Sequence, residues 1–174
     1  MITLRQRKYL PLLVYAIGAL LVMLAQTAPR LFPAVFGFRP VPLIAYVVCV
    51  ALLEGARTGA AIGTIAGLLW GIYSFRLFGL DAFILGAIGL TVGLLVERYF
   101  RANFLSAMVL CAAAALVQAL LEWVFYYLIF LKEDLLSVLI AVYLPNCVYT
   151  MVLAPLIYWV VLQFTQRLRR MGKR

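Results

Sequence analysis

The side chains that could do chemistry in this chain are few, and one carboxylate, Glu122, stands apart from the others. The 174 residues include six acidic side chains and no histidine. Without an imidazole there is no histidine base, no Ser-His arrangement and no histidine metal ligand. Glu122 is the only carboxylate deep in an apolar stretch, about 15 Å of helix inward from Lys132. An ionisable group at that depth in a bilayer normally faces the protein interior and has a partner.

Three further polar residues are placed to meet Glu122. Gln118 precedes Glu122 by one helical turn, and Thr150 follows Asn146 by one turn. Asn146 and Glu122 are equally distant in sequence from Asp134, so two antiparallel helices would bring them to the same depth. We therefore predict a polar contact among these four residues, with Glu122 protonated or hydrogen-bonded. Two roles remain open for it, a structural tie between helices and a site for a proton or ligand.

No other catalytic or cofactor pattern is present in the sequence. A Walker-type phosphate loop is absent, and the glycines lack the strand context of a dinucleotide fingerprint. The three cysteines are far apart in apolar stretches, which is typical of small core residues. The basic end QRLRRMGKR is typical, beside a membrane, of a segment held on anionic lipid and not of a nucleic-acid site. We expect no catalytic residue, cofactor, metal or nucleic-acid partner.

Membrane helices are the elements that must position these residues. The chain is 67% hydrophobic and 12% charged, with a mean hydropathy of +1.10, and several apolar runs approach the ~20 residues that span a bilayer. We predict an all-α integral membrane protein whose residues 1–174 form a single domain, a compact bundle of six transmembrane helices. The predicted spans are about 9–28, 41–56, 58–75, 80–96, 104–131 and 136–164.

Basic residues set the predicted orientation of the bundle. With the N-terminus inside, eleven lysines and arginines fall on the inner face and four on the outer face, so both termini are predicted to be cytoplasmic. The inner residues are Arg5, Arg7, Lys8, Arg57, Arg98, Arg101, Arg167, Arg169, Arg170, Lys173 and Arg174, and the outer ones are Arg30, Arg39, Arg76 and Lys132. Helices two and four are short for a hydrocarbon core of about 30 Å, so we expect snorkelling arginines or local bilayer thinning there.

Glycine recurs at every fourth position through the third predicted span. The series consists of Gly55, Gly59, Gly63, Gly67 and Gly71. In a soluble helix each interior glycine would cost about 0.5–1 kcal/mol relative to alanine, whereas in a bilayer small residues are the main means of bringing helices close together. The fourth span adds Gly86, Gly89 and Gly93.

These eight glycines are predicted to be helix-packing or partner-binding positions. Helices three and four should form an antiparallel hairpin with a turn at residues 75–79, where Gly79 supplies a flexible or left-handed position. The glycine strip could contact helix four, another helix of this chain or a foreign helix. The sequence leaves these three possibilities open.

Two segments carry a family resemblance. Arg39-Pro40 opens the second span, and residues 51–95 then give a small hydrophilic turn, a glycine-rich span, a short outer turn ending in Gly-Leu and a second glycine-bearing span. The run LPNCVYTMVLAPLIYWVV at residues 144–161 precedes the basic tail. In this order of features the chain resembles the MreD family, small multi-pass proteins of the bacterial rod-shape machinery.

The resemblance implies a non-enzymatic scaffold in the bacterial cytoplasmic membrane. MreD-like proteins associate with MreC, a single-span protein with a periplasmic domain. They act alongside MreB filaments, a RodA-type glycosyltransferase and a class B penicillin-binding protein in peptidoglycan elongation. On this basis we expect the surface of helices three and four to dock the transmembrane helix of an MreC-like partner within the lipid bilayer.

Two other classes of membrane protein share the predicted size and helical organisation. The substrate-capturing S component of an energy-coupling-factor importer is similar in length, helix count and loop size, but usually presents a polar ligand pocket near the outer face. The outer halves of the spans predicted here carry few polar groups. A helical chaperone or assembly factor is the third class. A cell-shape operon around the gene would favour the scaffold, and a vitamin pathway or an ATPase gene would favour the importer.

Overall fold

A computed structural model describes residues 6–28, 41–74, 79–99, 103–130 and 144–171. These residues form six helices and no strand, which confirms the prediction of an all-helical chain. The helices are α1 (Gln6–Thr27), α2 (Pro42–Glu54), α3 (Ala56–Ser74), α4 (Leu80–Arg98), α5 (Phe104–Phe130) and α6 (Leu144–Met171).

Two helix boundaries differ from the predicted ones. The break between α2 and α3 falls at Gly55 and not at Arg57, because Gly55 has a φ of 86°, a left-handed value that glycine adopts without a Cβ clash. Its N–H still donates to the carbonyl of Ala51 and closes the end of α2. The last helix continues to Met171, since the glutamine, leucine and arginine residues near its end are good helix formers. Residues 136–143 of the sixth predicted span lie outside the described residues.

The shortest helix, α2, is the centre of the molecule. Every residue from Pro42 to Leu52 is buried, and α2 contacts each of the other five helices. Its 13 residues extend about 20 Å, well short of the ~30 Å hydrocarbon core. We expected snorkelling arginines or a thinned bilayer to absorb this mismatch. That expectation stays a prediction, and the structure shows in addition that α2 is enclosed by protein.

The outward surfaces of the surrounding helices are apolar. Leu13 on α1, Leu105 on α5 and Val152 on α6 are each more than half exposed. A water-soluble monomer rarely exposes apolar surface on this scale. Within the described residues, three helical segments are long and apolar enough to cross a membrane: Leu80–Arg98, Phe104–Phe125 and Val148–Leu168. These features indicate a membrane protein.

Candidate functional site

Helices α3 and α4 lie antiparallel and pack backbone against backbone. Gly59 lies against Gly89, Gly63 against Leu85 and Gly67 against Asp81. Each step of four residues along α3 is therefore matched by a step of four residues back along α4. We call this contact the glycine seam, and five of the eight predicted glycines form it: Gly59, Gly63, Gly67, Gly89 and Gly93.

The glycine seam has no room for side chains. A Cβ atom added to Gly63 would meet the carbonyl oxygen of Leu85 and lie 2.8 Å from its carbonyl carbon. A Cβ atom added to Gly67 would lie 2.6 Å from the backbone nitrogen of Ala82. Both obstacles are backbone atoms, which cannot rotate away. Glycine at these positions therefore sets the distance between the two helices.

The other three predicted glycines behave differently. Gly55 is the left-handed break between α2 and α3. At Gly86 an added Cβ would lie 2.6 Å from the hydroxyl oxygen of Thr64, a side chain that can turn aside. At Gly71 the nearest atom would be a carboxylate oxygen of Asp81 at 3.8 Å, an ordinary contact distance. The glycine repeat of α3 thus extends beyond the part of the helix that packs closely against α4.

Carboxylates lie at both ends of the glycine seam. The Ala56 N–H at the start of α3 donates to Glu97 Oε1 over 2.9 Å, so Glu97 in the last turn of α4 caps α3. At the opposite end, Asp81 is buried in the first turn of α4, where a negative charge is favourable to the helix dipole. It follows Gly79, whose φ of 96° is the left-handed position predicted for the turn.

Removal of the Glu97 carboxylate should weaken the α3–α4 pair. Glu97→Ala leaves the first N–H of α3 without its cap, and we expect the free energy of unfolding to fall by about 1 kcal/mol. Thermal unfolding of the detergent-solubilised protein, followed by circular dichroism, measures the change. Arg98→Ala alters the adjacent exposed residue and is the control. An equal loss in the two variants would contradict the capping role.

The four polar residues predicted to meet near Glu122 line one small cavity. It has a volume of about 60 Å³ and lies among α2, α5 and α6. Gln118 Nε2 donates to Glu122 Oε1 over 2.9 Å along α5. On α6 the Thr150 hydroxyl donates to the Asn146 carbonyl over 2.8 Å and accepts from the Val41 N–H over 3.2 Å. Thr150 therefore joins α6 to the residue that precedes α2.

Two oxygen atoms of this cavity, Gln118 Oε1 and Asn146 Oδ1, are buried without a hydrogen-bond partner in the described structure. Leaving such an atom unsatisfied costs about 1–3 kcal/mol. The cavity is polar and exceeds the ~10–15 Å³ that one water molecule requires, so water can satisfy both oxygens. Its size suits a structural water site better than a site for an organic ligand, which typically needs about 300 Å³ or more.

A second polar cluster, which sequence reasoning missed, is centred on Tyr15 of α1. This side chain is 1% exposed. Its hydroxyl donates to Glu54 Oε1 of α2 over 3.1 Å and lies 2.9 Å from the Thr165 hydroxyl of α6. Because the single Tyr15 proton goes to Glu54, Thr165 is the donor in the second bond. Tyr46 of α2 donates to the Tyr15 carbonyl over 2.8 Å. We call these four residues the Tyr15 cluster.

The described residues do not bring three cysteine, aspartate or glutamate side chains together as a metal site would require. Cys49 and Cys111 are both buried and unlinked. The chemistry that the described structure places together is hydrogen bonding and close backbone packing. Both serve to hold helices in fixed relative positions.

Comparison with known proteins matches the chain to a protein family. A family model described as rod shape-determining protein MreD matches residues 6–168 of the chain. Neither the curated proteins nor the solved structures contain a match.

Proposed function

Because the chain belongs to the MreD family of rod shape-determining proteins, we propose that it is a non-catalytic scaffold of the cell-shape machinery in the bacterial cytoplasmic membrane. The family match over residues 6–168 is the observation that carries this proposal. The family implies a role in rod shape determination and is not a known enzyme family. The family's place in peptidoglycan elongation is consistent with a protein whose polar groups hold helices together.

The proposed topology has all six helices crossing the membrane, with both ends of the chain on the cytoplasmic side. Eleven basic residues on the inner face against four on the outer face support this orientation. The enclosed position of α2 supports a full set of six spans, since this apolar helix needs the other five as its surroundings.

The proposed partner is an MreC-like protein with one membrane span, through which the chain works with MreB-like filaments, a RodA-type glycosyltransferase and a class B penicillin-binding protein.

Gly63 and Gly67 face α4, so leucine at these positions tests the folding of the α3–α4 hairpin and not docking. We therefore place the docking surface on the outward side of the hairpin. We call it the hairpin face, and it comprises the exposed residues Thr64, Leu68 and Ile72 of α3 with Phe83 and Leu90 of α4.

The exposure of the hairpin face supports this assignment. Ile72 is 59% and Phe83 is 78% exposed. The contact between Thr64 and Gly86 shows that the exposed rows of α3 and α4 lie on the same side of the hairpin.

Site-specific crosslinking in cells tests the proposed docking. A photoreactive amino acid at Leu68 or Phe83 is expected to crosslink to the MreC-like partner, because both positions lie on the hairpin face. The same group at Val109, which is exposed on α5, is the control and is expected not to crosslink to it. In cells depleted of their own copy, the wild-type chain should restore rod shape. If only the group at Val109 crosslinks to the partner, the hairpin face is not the docking surface. If the wild-type chain does not restore rod shape, the proposed function is wrong.

The importer alternative gains no support from the described residues. The polar cavity beside Glu122 is several-fold smaller than the ~300 Å³ typical of small-molecule sites.

A further inference from the structure

The polar cavity beside Glu122 has hydrogen-bond acceptors that the described structure leaves unused. Gln118 Oε1 and Asn146 Oδ1 are both buried without a partner, and both residues line the cavity. Gln118 as a whole is only 4% exposed. An amide oxygen accepts hydrogen bonds and donates none. An occupant that suits this cavity therefore donates hydrogen bonds or carries a positive charge.

The carboxylate of Glu122 fixes the direction of the Gln118 amide. Gln118 Nε2 donates to Glu122 Oε1 over 2.9 Å. The reversed amide would set its oxygen against the carboxylate oxygen, and two acceptors repel each other. The bond to a carboxylate also increases the negative charge on Gln118 Oε1, because hydrogen bonds in a chain polarise one another. This oxygen is therefore well suited to a cation.

Thr150 supplies a third oxygen. Its hydroxyl donates to the Asn146 carbonyl over 2.8 Å, and its oxygen accepts from the Val41 N–H over 3.2 Å. A hydroxyl oxygen has two lone pairs, so one of them is left for another ligand. Amide, hydroxyl and carboxylate oxygens are the ligands that hard cations prefer. The side chains that carry them come from two helices, α5 and α6.

The first turn of α2, which also borders the cavity, offers no N–H group to an anion. The N–H groups of Val41, Leu43 and Ile44 already donate to oxygen atoms over 3.2, 3.4 and 3.2 Å. Pro42 has no N–H group. A helix start binds anions chiefly through free N–H groups. The described surroundings therefore favour a positive occupant over a negative one.

The charge of the site indicates a monovalent ion. Among the described residues that line the cavity, Glu122 is the one with an ionisable carboxyl or basic group. An ionised Glu122 and a monovalent cation form a neutral pair, whereas a divalent cation would leave net charge in a region away from water. The sequence predicted no metal because histidine is absent and the cysteines are dispersed, but a cation of this kind needs oxygen ligands alone.

We propose that this cavity binds one monovalent metal cation, Na⁺ or K⁺, through the side-chain oxygens of Gln118, Asn146 and Thr150, with the Glu122 carboxylate as its counter-charge. The ion joins α5 to α6 beside the start of α2. Glu122 then takes part both in a tie between helices and in a ligand site. The site depends neither on the proposed partner nor on the proposed topology.

Thermal unfolding of the purified full chain in a non-ionic detergent tests the site. The melting temperature is measured in NaCl, KCl and N-methyl-D-glucamine chloride at equal concentrations, which keeps the ionic strength and the anion constant. A ligand that binds the folded chain alone raises its melting temperature. We expect Na⁺ or K⁺ at saturation to raise it by about 5 °C above the value in the organic cation, and the more effective salt identifies the ion. Equal melting temperatures in the three salts overturn the proposal and leave water as the occupant.

Side-chain variants locate the effect. Gln118→Met keeps the length of the side chain and removes its oxygen, and the difference between the salts should disappear. Gln163→Met makes the same change at an exposed position of α6 and should keep the full difference. The difference is read within each variant, so a general loss of stability does not imitate it.

Glu122→Gln provides the second variant, because it removes the negative charge and keeps the shape of the side chain. We expect the difference between the salts to disappear here as well. A full difference in Gln118→Met, or in Glu122→Gln if Gln118→Met does not fold, overturns the site. Rod-shape rescue and hairpin-face crosslinks report separately on the scaffold function.

Discussion

Gly63→Ala is expected to destabilise the protein by about 2–3 kcal/mol, whereas Gly71→Ala, two turns away on the same helix, is expected to stabilise it slightly. The added methyl group at residue 63 meets the Leu85 carbonyl, and the helices must separate to admit it, which costs more than the gain in helix propensity. At residue 71 the nearest atom is 3.8 Å away, so the gain of about 0.5–1 kcal/mol is not opposed.

The two variants are matched in chemistry and in helix, so their difference isolates the glycine seam. Thermal unfolding in the same detergent, read by fluorescence-detected size exclusion, gives the order of stabilities. We expect Gly71→Ala to melt at or above the wild-type temperature and Gly63→Ala well below it. Equal melting temperatures would show that α3 and α4 are not in backbone contact. Leucine at both Gly63 and Gly67 should prevent the folded chain from accumulating.

Tyr15→Phe has the second largest expected effect, a loss of about 1–3 kcal/mol in the free energy of unfolding. The substitution keeps the ring in a fully buried position and removes only the hydroxyl that joins α1 to Glu54 of α2 and Thr165 of α6. Glu54 and Thr165 then lose a partner in a weakly solvated region, where leaving a polar group unsatisfied is costly. The Tyr46 bond survives, since it goes to the Tyr15 backbone.

Chemical denaturation of Tyr15→Phe in detergent measures that loss, and Tyr73→Phe provides the matched control. Tyr73 is 48% exposed on α3, so removal of its hydroxyl should change stability by no more than about 0.5 kcal/mol. Thr165→Val should cost less than Tyr15→Phe because the Tyr15–Glu54 bond remains. If Tyr15→Phe and Tyr73→Phe unfold at the same denaturant concentration, the Tyr15 cluster does not hold the helices together.

The glycine spacing showed from sequence that α3 is closely packed, but not where the packing stops. In the observed register, residue 63 pairs with 85 and residue 67 with 81, so residue 71 would pair with position 77. Because α4 begins at Leu80, Gly71 lies beyond the part of α3 that pairs with α4. The register depends on the relative placement of two helices, which a repeat within one of them does not specify.

Contacts between segments far apart in the sequence were the second feature that the sequence did not fully predict. Turn spacing and equal depth placed the residues around Glu122 together, and the structure shows them lining one cavity. Tyr15 and Thr165 are 150 positions apart and share no periodic pattern. The charge of Arg57 suggested the break between α2 and α3, whereas the break lies at Gly55, where the backbone turns. Hydropathy predicted α2 as a span but did not predict its enclosure by five helices.

That enclosure has a consequence for biogenesis. An isolated α2 is about 10 Å too short to cross the hydrocarbon core, so it is poorly suited to leave the translocon as an independent helix. Two of the helices that cover it, α5 and α6, are synthesised long after it. We therefore expect nascent chains truncated before α5 to be retained by insertion factors or degraded. Release into the bilayer would then coincide with completion of the bundle. Synthesis of the last helix would be the step at which the first helices become stably inserted.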